Sequence, residues 1–206
     1  MLFSRLGIDE SKHVVVYDQN SGMFASRVWW MLRWLGHESV ALMDGGIEKW
    51  VREGRAVTTN VDTPAAATFT PREAATTASA DEVAEELQGG AQVLVDARAP
   101  ERFRGETEPL DPIAGHIPGA LNRPWGSNVN ADGTLKPADA LRNEFAMLLG
   151  DTPLDEIVHY CGSGVSACHN LLAMEVAGLP GTRLYPGSWS EWCALHPELN
   201  GVSRPG

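Results

Sequence analysis

The sequence predicts an α/β fold in which a central parallel sheet is flanked by helices, together with a partial second copy of the same domain. Two observations lead to this prediction. Short apolar stretches typical of strands alternate with helical segments, and that alternation is typical of a parallel sheet. Residues 14–50 also resemble residues 157–192, because Tyr, Ala, Gly, Gly and Trp recur in the same order at an offset of 142 or 143 residues.

Both copies follow the order strand, loop, helix, strand, turn, helix. Glycine and proline mark where the helices begin and end, and apolar runs mark the strands. In the second copy we expect a strand at 157–160, a helix at about 165–177 that ends at Gly178, a strand at 183–185 and a helix containing Trp189 and Trp192.

More elements are predicted upstream of the second copy. The segment Ser79-Ala-Asp-Glu82 has the pattern of a capping box and predicts a helix that runs to Leu87. The remaining predictions are a strand at 92–95 that ends at Asp96, a long loop at 100–124, and a helix that begins at Pro137 and runs to Leu149.

The chain is predicted to contain two domains of unequal completeness. Residues 77–206 form the predicted catalytic domain, and residues 57–76, rich in Thr, Ala and Pro, form a linker. Residues 1–56 form a partial N-terminal domain, because far fewer residues precede the strand at Val14 than precede its counterpart. We therefore expect a shortened form of a longer tandem protein, with self-association through the incomplete domain.

Composition argues against several classes of protein. A net charge of −11 and a pI near 4.9 do not suit a nucleic-acid-binding surface. The chain has no apolar run close to the roughly 20 residues of a membrane helix, and its first residues lack a signal-peptide pattern. Three cysteines, an odd number without disulfide spacing, favour a reducing cytoplasm.

Cys161 is the predicted catalytic nucleophile. It follows a predicted strand, lies in a loop of small residues and precedes a helix, which is the arrangement of an anion cradle. Gly162 and Gly164 allow successive N–H groups to converge on the sulfur, and the helix N-terminus adds partial positive charge. Both effects favour the thiolate over the thiol. The alternative is a buried, inert cysteine at the end of a strand.

Five ordered motifs resemble the catalytic domain of the tandem rhodaneses, a family that includes thiosulfate sulfurtransferase and 3-mercaptopyruvate sulfurtransferase. The resemblance implies an inactive N-terminal domain and transfer of a sulfane sulfur through a Cys161 persulfide to cyanide or a thiol, without a cofactor or a metal. The motifs are Asp96-Ala-Arg98, Phe103-Arg-Gly105, Gly115-His-Ile-Pro-Gly-Ala120, Tyr160-Cys-Gly-Ser-Gly-Val-Ser-Ala167 and Tyr185-Pro-Gly-Ser-Trp-Ser-Glu-Trp192.

The same resemblance implies the residues that bind the sulfur donor. Arg104 lies where the family places an arginine for the donor's anionic group, and Ser163 is a candidate for a keto or carboxylate oxygen. Gly162 and Ser163 resemble the loop of mercaptopyruvate enzymes, but Leu110 or Asp111 stands where those enzymes carry a second arginine, so either donor stays open. The full predicted binding set is Arg104, Gly162, Ser163, Gly164, Val165 and Ser166.

Other polar residues are predicted to be structural. We expect an ion pair between Asp96 and Arg98, a turn-fixing role for His116, a core or pocket-wall role for Trp189, and packed thiols at Cys168 and Cys193. In the first copy Asp18 stands at the position of Cys161, so that copy has no sulfur nucleophile.

Two other functions compete with this interpretation. A cysteine phosphatase needs an arginine six residues after its cysteine to bind phosphate, and that position is Ala167. The second is a catalytically impaired or truncated module that acts as a sulfur carrier or a binding domain.

Overall fold

The computed structural model describes residues 2–73, 77–87, 89 and 91–196. The chain divides into two compact units: Met1–Ala75 with Val129–Leu135, and Thr76–Asn128 with Lys136–Gly206. The short segment at 129–135, which the sequence analysis assigned to the catalytic domain, is thus grouped with the first unit. Residues 74–76 of the predicted linker and 197–206 of the predicted catalytic domain lie outside the described residues. Within the described part, no helix is long and apolar enough to cross a membrane.

The first unit contains a small parallel sheet and three helices in its described part. Strand β1 (Val14–Val16) pairs with strand β2 (Val40–Leu42) in parallel, with Val14 opposite Val40. The helices are α1 (Leu2–Arg5), α2 (Ala25–Trp34) and α3 (Gly46–Arg52).

The predicted linker forms no helix or strand between residues 57 and 73, yet its second half packs on the first unit. The ring of Phe69 lies 5.3 Å from that of Phe3, centre to centre, and is buried. The Ala67 N–H donates to the Ser4 carbonyl at 2.9 Å. These contacts order the segment without regular structure.

The second unit is built on a four-stranded parallel sheet with the order β4-β3-β5-β6. Strands β3 and β5 are central, and helices cover both of their faces, as in other parallel sheets. The strands are β3 (Val93–Asp96), β4 (Leu121–Asn122), β5 (Ile157–Tyr160) and β6 (Arg183–Leu184), and the helices are α4 (Ala80–Glu86), α5 (Pro100–Phe103), α6 (Ala138–Leu149), α7 (Ala167–Val176) and α8 (Ser188–Leu195).

Successive side chains of the central strands point to opposite faces of the sheet, so the second unit has a hydrophobic cluster on each face. On one face, Leu94 and Val158 pack with Trp189 of α8. On the other, Val95 and Ile157 pack with residues of α6 and α7. Every side chain of β5 is buried. The prediction of a parallel sheet between helices is confirmed.

Several local predictions are confirmed, and one is wrong. Ser79 and Glu82 form the capping box, and Gly178, with φ +72°, ends α7 as the Leu179 N–H donates to the Met174 carbonyl at 2.8 Å. The prediction of one long loop at 100–124 is wrong, because it contains α5 and β4. A strand of two residues is too short to show the alternation of apolar and polar side chains by which a strand is recognised in a sequence.

The internal repeat is visible in the backbone hydrogen bonds. Gly36 ends α2 with φ +80°, as Gly178 ends α7. Two more hydrogen bonds recur at matching positions in both copies. They run from Met43 N–H to Val16 O and from Ile47 N–H to Asp18 O in the first copy, and from Tyr185 N–H to His159 O and from Trp189 N–H to Cys161 O in the second.

Candidate active site

Cys161 lies directly after β5 and is fixed from both sides of its backbone. Its N–H donates to the Ser188 hydroxyl at 3.1 Å, and its carbonyl accepts from the Trp189 N–H at 3.0 Å. Its side chain is 2% exposed, and it is a free cysteine. The start of α8 therefore holds the residue in place without using its sulfur.

The loop from Gly162 to Ser166 contacts the first turn of α8 and the turn that precedes it. The Gly162 carbonyl accepts from both the N–H and the hydroxyl of Ser190, at 2.9 and 2.8 Å. Gly164 has φ +73°, and a Cβ there would lie 2.4 Å from the Pro186 carbonyl oxygen. Only glycine fits this position.

The loop presents N–H groups that no other part of the described structure uses. Within the described residues, the N–H groups of Gly162, Ser163, Val165 and Ser166 donate to no acceptor. They lie between Cys161 and the N-terminus of α7, where the helix dipole adds partial positive charge. Such a run of free donors is suited to binding an anion.

The matching loop of the first copy shows what this backbone can bind. The carboxylate of Asp18 accepts four backbone N–H groups at 2.8 Å each, from Asn20, Gly22, Phe24 and Ala25. Partial burial tends to raise the pKa of Asp18, but these hydrogen bonds outweigh it and hold the pKa below its usual value. In this chain, therefore, a loop of this kind surrounds an anion at the position that corresponds to Cys161.

Ser188 is a site residue that the sequence analysis missed. It is fully buried, and its hydroxyl donates to the Tyr185 carbonyl at 2.9 Å while accepting from Cys161. Its φ of +55° is unusual for a residue with a side chain. The repeat held a signal, because the matching residue is Gly46, with φ +58°.

The predicted ion pair between Asp96 and Arg98 is confirmed. Arg98 Nη2 lies 2.7 Å from Asp96 Oδ2, and both side chains are buried. Burial would lower the pKa of Arg98, but the hydrogen bonds and charge of Asp96 outweigh it, so the pKa lies above its usual value. Arg98 also donates to Glu108 at 3.2 Å and lies over the Trp189 ring. The pair therefore has a structural role.

The two arginines near α5 lie in different surroundings. Arg104 is 54% exposed and pairs with Glu106, with Nε 2.6 Å from Oε1. Arg102 is 18% exposed, and its Nη1 lies 3.5 Å from where a Cβ on Gly162 would be. The structure thus brings Arg102 to the loop, and donor binding by Arg104 stays a prediction. Arg104 was predicted from its position in the family pattern, and the contact between Arg102 and the loop is visible only in the structure.

Three other predicted structural roles agree with the contacts. His116 Nδ1–H donates to the Phe103 carbonyl at 2.6 Å and so fixes the turn. Trp189 belongs to the core, and its indole N–H donates to the Ile113 carbonyl at 2.8 Å. Cys168 and Cys193 are both buried, as predicted for packed thiols, and burial raises the pKa of Cys193 to about 11.

Comparisons with known proteins agree on one family. The family model described as "Rhodanese-like domain" matches residues 2–53 and 79–195. The "Probable 3-mercaptopyruvate sulfurtransferase" of Pseudomonas aeruginosa is 45% identical over 188 residues, which are 90% of this chain and 66% of that protein. The "Sulfur carrier protein TtuD" of Thermus thermophilus is 37% identical over 204 residues, which are 93% of this chain and 71% of that protein.

Among solved structures, the 3-mercaptopyruvate sulfurtransferase SseA of Escherichia coli is similar with a TM-score of 0.78 and 34% identity, over 92% of this chain and 71% of that chain. The chain thus spans about two thirds of the length of the curated relatives that it matches.

Proposed function

The chain belongs to the rhodanese-like domain family, and from that premise we propose that it is a sulfurtransferase. It moves a sulfane sulfur from thiosulfate or 3-mercaptopyruvate to cyanide or a thiol through a persulfide on Cys161. The observation that carries the proposal is the loop after Cys161. Its free N–H groups at Ser163 and Ser166 correspond in the repeat to those of Asn20 and Phe24, which donate to the Asp18 carboxylate.

The proposed reaction has two balanced steps. The Cys161 thiolate attacks the sulfane sulfur of thiosulfate, a sulfur–sulfur bond forms, and sulfite leaves with the electron pair of the broken bond. With 3-mercaptopyruvate, the carbon–sulfur bond breaks instead, and the proton of the thiol passes to carbon to give pyruvate. Cyanide then attacks the outer sulfur, and thiocyanate forms as the thiolate returns.

The loop residues have a separate role from the nucleophile. The N–H groups of residues 162–166 stabilise the negative charge of the thiolate and of the persulfide, and they need no reorganisation to do so. Ser163 is exposed, so its hydroxyl is accessible to a donor oxygen. Arg104 stays in the proposed donor-binding set, and Arg102, beside Gly162, joins it.

Intact-mass spectrometry tests the proposal directly. After incubation with either donor, the wild-type protein is expected to gain the mass of one sulfur atom, and Cys161→Ala is expected to gain none. Cys193→Ala is the matched control, because it removes a buried thiol of the same unit, and it is expected to behave as the wild type. No adduct with either donor, or an adduct that persists in Cys161→Ala, would contradict sulfur transfer through this residue.

A sulfur carrier is the second candidate, and the resemblance to a protein named as a sulfur carrier favours it. A carrier keeps its persulfide until a protein acceptor arrives, whereas an enzyme passes the sulfur to small acceptors repeatedly. Thiocyanate release over many turnovers supports the enzyme. A stable persulfide with at most one turnover supports the carrier.

We also propose that the protein self-associates through its N-terminal unit. A second proposal is that it works in the cytoplasm. Val15, Tyr17 and Phe24 of that unit are each more than half exposed, which is typical of an association surface. Three free thiols suit a reducing compartment. Light scattering over a range of concentrations tests the first point, and a concentration-independent monomer would contradict it.

A further inference from the structure

Three charged side chains meet beside the loop that follows Cys161. Arg102 Nη2 lies 2.5 Å from Glu108 Oε1 and 3.5 Å from Asp111 Oδ2. The Glu108 side chain is 4% exposed and the Asp111 side chain is 8% exposed. One guanidinium therefore faces two buried carboxylates at the edge of the proposed site.

The two carboxylates are not satisfied equally. Glu108 accepts from Arg98, from Arg102 and from two backbone N–H groups. Asp111 Oδ2 is buried and has no hydrogen bond within the described part of the chain, although Arg102 lies within ion-pair distance. A buried carboxylate oxygen without a hydrogen bond is costly for stability. Hydrogen bonding of this oxygen therefore does not explain why position 111 carries a carboxylate, and the charge that faces Arg102 is what remains.

The contacts of Arg102 limit what it can offer to a sulfur donor. Its Nε and Nη2 both donate to Glu108, and Nη2 also faces Asp111. Nη1 lies 3.5 Å from the position of a Cβ on Gly162. Nη2 lies almost as close, at 3.6 Å, but it already donates to Glu108. Within the described residues, Nη1 is therefore the terminal nitrogen left for a donor, and Arg102 does not offer the two-pronged fork that binds a carboxylate strongly.

The charges around the loop add up to an excess of carboxylate. The guanidiniums of Arg98 and Arg102 face the carboxylates of Asp96, Glu108 and Asp111, all within one connected set of ion pairs. The set therefore carries one net negative charge. Its repulsion of a donor grows in proportion to the negative charge of that donor.

We propose that Asp111 is a specificity-determining residue that selects sulfur donors by charge. The site accepts monoanionic sulfur donors of the 3-mercaptopyruvate type and discriminates against the thiosulfate dianion. This inference rests on the proposed sulfurtransferase function, because it assumes that small donors reach Cys161. Asp111 acts through its field and through its hold on Arg102, and it takes no part in bond breaking.

The first test does not depend on sulfur transfer. Iodoacetamide is neutral and iodoacetate carries one negative charge, so the ratio of their alkylation rates at Cys161 reports the local field. In Asp111→Asn, the iodoacetate rate relative to the iodoacetamide rate is expected to rise roughly threefold to tenfold. Asp155→Asn is the matched control, because it makes the same charge change at an exposed residue before β5, at the opposite end of that strand from Cys161. It is expected to leave the ratio within about twofold.

The second test uses the donors themselves. If Asp111 repels donors by charge, the factor by which Asp111→Asn raises kcat/KM for thiosulfate should approach the square of the factor for 3-mercaptopyruvate. Equal factors for the two donors, or the same result in Asp155→Asn, would overturn the proposal. If Asp111→Asn does not fold, Asp111→Ser gives the same comparison with a smaller neutral side chain.

The two tests separate this inference from the proposed function. A wild-type protein that forms no persulfide would refute sulfur transfer, while the alkylation ratio would still report on Asp111. A persulfide on wild-type Cys161 together with an unchanged alkylation ratio in Asp111→Asn would refute the role of Asp111 alone.

Discussion

Ser188 offers the sharpest test of how the fold holds Cys161. Its hydroxyl makes two buried hydrogen bonds, accepting from the Cys161 N–H at 3.1 Å and donating to the Tyr185 carbonyl at 2.9 Å. Ser188→Ala leaves both backbone groups without this partner. Since each unsatisfied buried group costs about 1–3 kcal/mol, we expect the free energy of unfolding of the second unit to fall by roughly 2–4 kcal/mol.

The backbone of Ser188 adds a second, opposite effect. At φ +55° a residue with a Cβ is strained by about 1–2 kcal/mol relative to glycine, whereas glycine loses about 0.4–1 kcal/mol through the greater freedom of the unfolded chain. Ser188→Gly loses the same hydrogen bonds as Ser188→Ala but relieves the strain. We therefore expect Ser188→Gly to be more stable than Ser188→Ala by about 0.5–1 kcal/mol.

Urea unfolding followed by tryptophan fluorescence measures both differences, because Trp189 and Trp192 are buried next to the substitution. Ser190→Ala is the matched control: its hydroxyl donates to a Gly162 carbonyl that already accepts the Ser190 N–H, and the residue is exposed. It is expected to cost about 1 kcal/mol or less. The reasoning is refuted if Ser188→Ala is no more destabilising than Ser190→Ala, or if Ser188→Gly is the less stable of the two Ser188 variants.

Two further predictions concern the loops of the two copies. Gly164→Ala places a Cβ 2.4 Å from the Pro186 carbonyl oxygen at φ +73°. It is expected to lower the free energy of unfolding by more than about 2 kcal/mol in urea and to slow persulfide formation measured by mass spectrometry. Gly126→Ala is the control, because its added Cβ meets open space, and it is expected to change neither quantity. Asp18→Asn is expected to cost about 1–3 kcal/mol at neutral pH. The pKa of Asp18 in the folded state lies below its ordinary value. The carboxylate's contribution is therefore full above that ordinary value and is lost as the pH falls through the folded-state pKa. The stability gap between the wild type and Asp18→Asn should therefore be constant above about pH 5 and shrink below pH 4; a gap that is the same at pH 3 and pH 7 would contradict this.

Much of the fold could be predicted from the sequence because strong local signals agreed with the tertiary structure. The capping box at Ser79 begins α4, and Gly178 ends α7, since each satisfies a requirement that only its own helix end imposes. Strand β5 was predicted at its observed bounds because it is a continuous apolar run, buried on both faces. The short strand β4 was missed because two residues contain too little periodicity to recognise.

Part of the site could be predicted because it, too, depends on local sequence signals. The position of Cys161 follows from a strand, a glycine loop and a helix in succession, all of which are local features. Arg102 and Ser188 depend on contacts across the sequence: Arg102 reaches the loop from α5, and Ser188 reaches Cys161 from α8. A local sequence pattern does not predict contacts between residues that are far apart in the sequence. The repeat, however, could have drawn attention to Ser188, because Gly46 marks the same left-handed position.

The two copies show how one backbone can serve either stability or chemistry. In the first copy, four of the loop's N–H groups are satisfied by the Asp18 carboxylate, so they are not available to a ligand. In the second, Cys161 takes that position, and four N–H groups of its loop make no hydrogen bond within the described residues. Of these residues Gly162 is buried, and a buried donor without an acceptor lowers stability. An anion that accepts its hydrogen bond relieves that cost. A thiolate, a persulfide or the oxyanion of a donor therefore stabilises this loop by the interaction that Asp18 supplies permanently in the other.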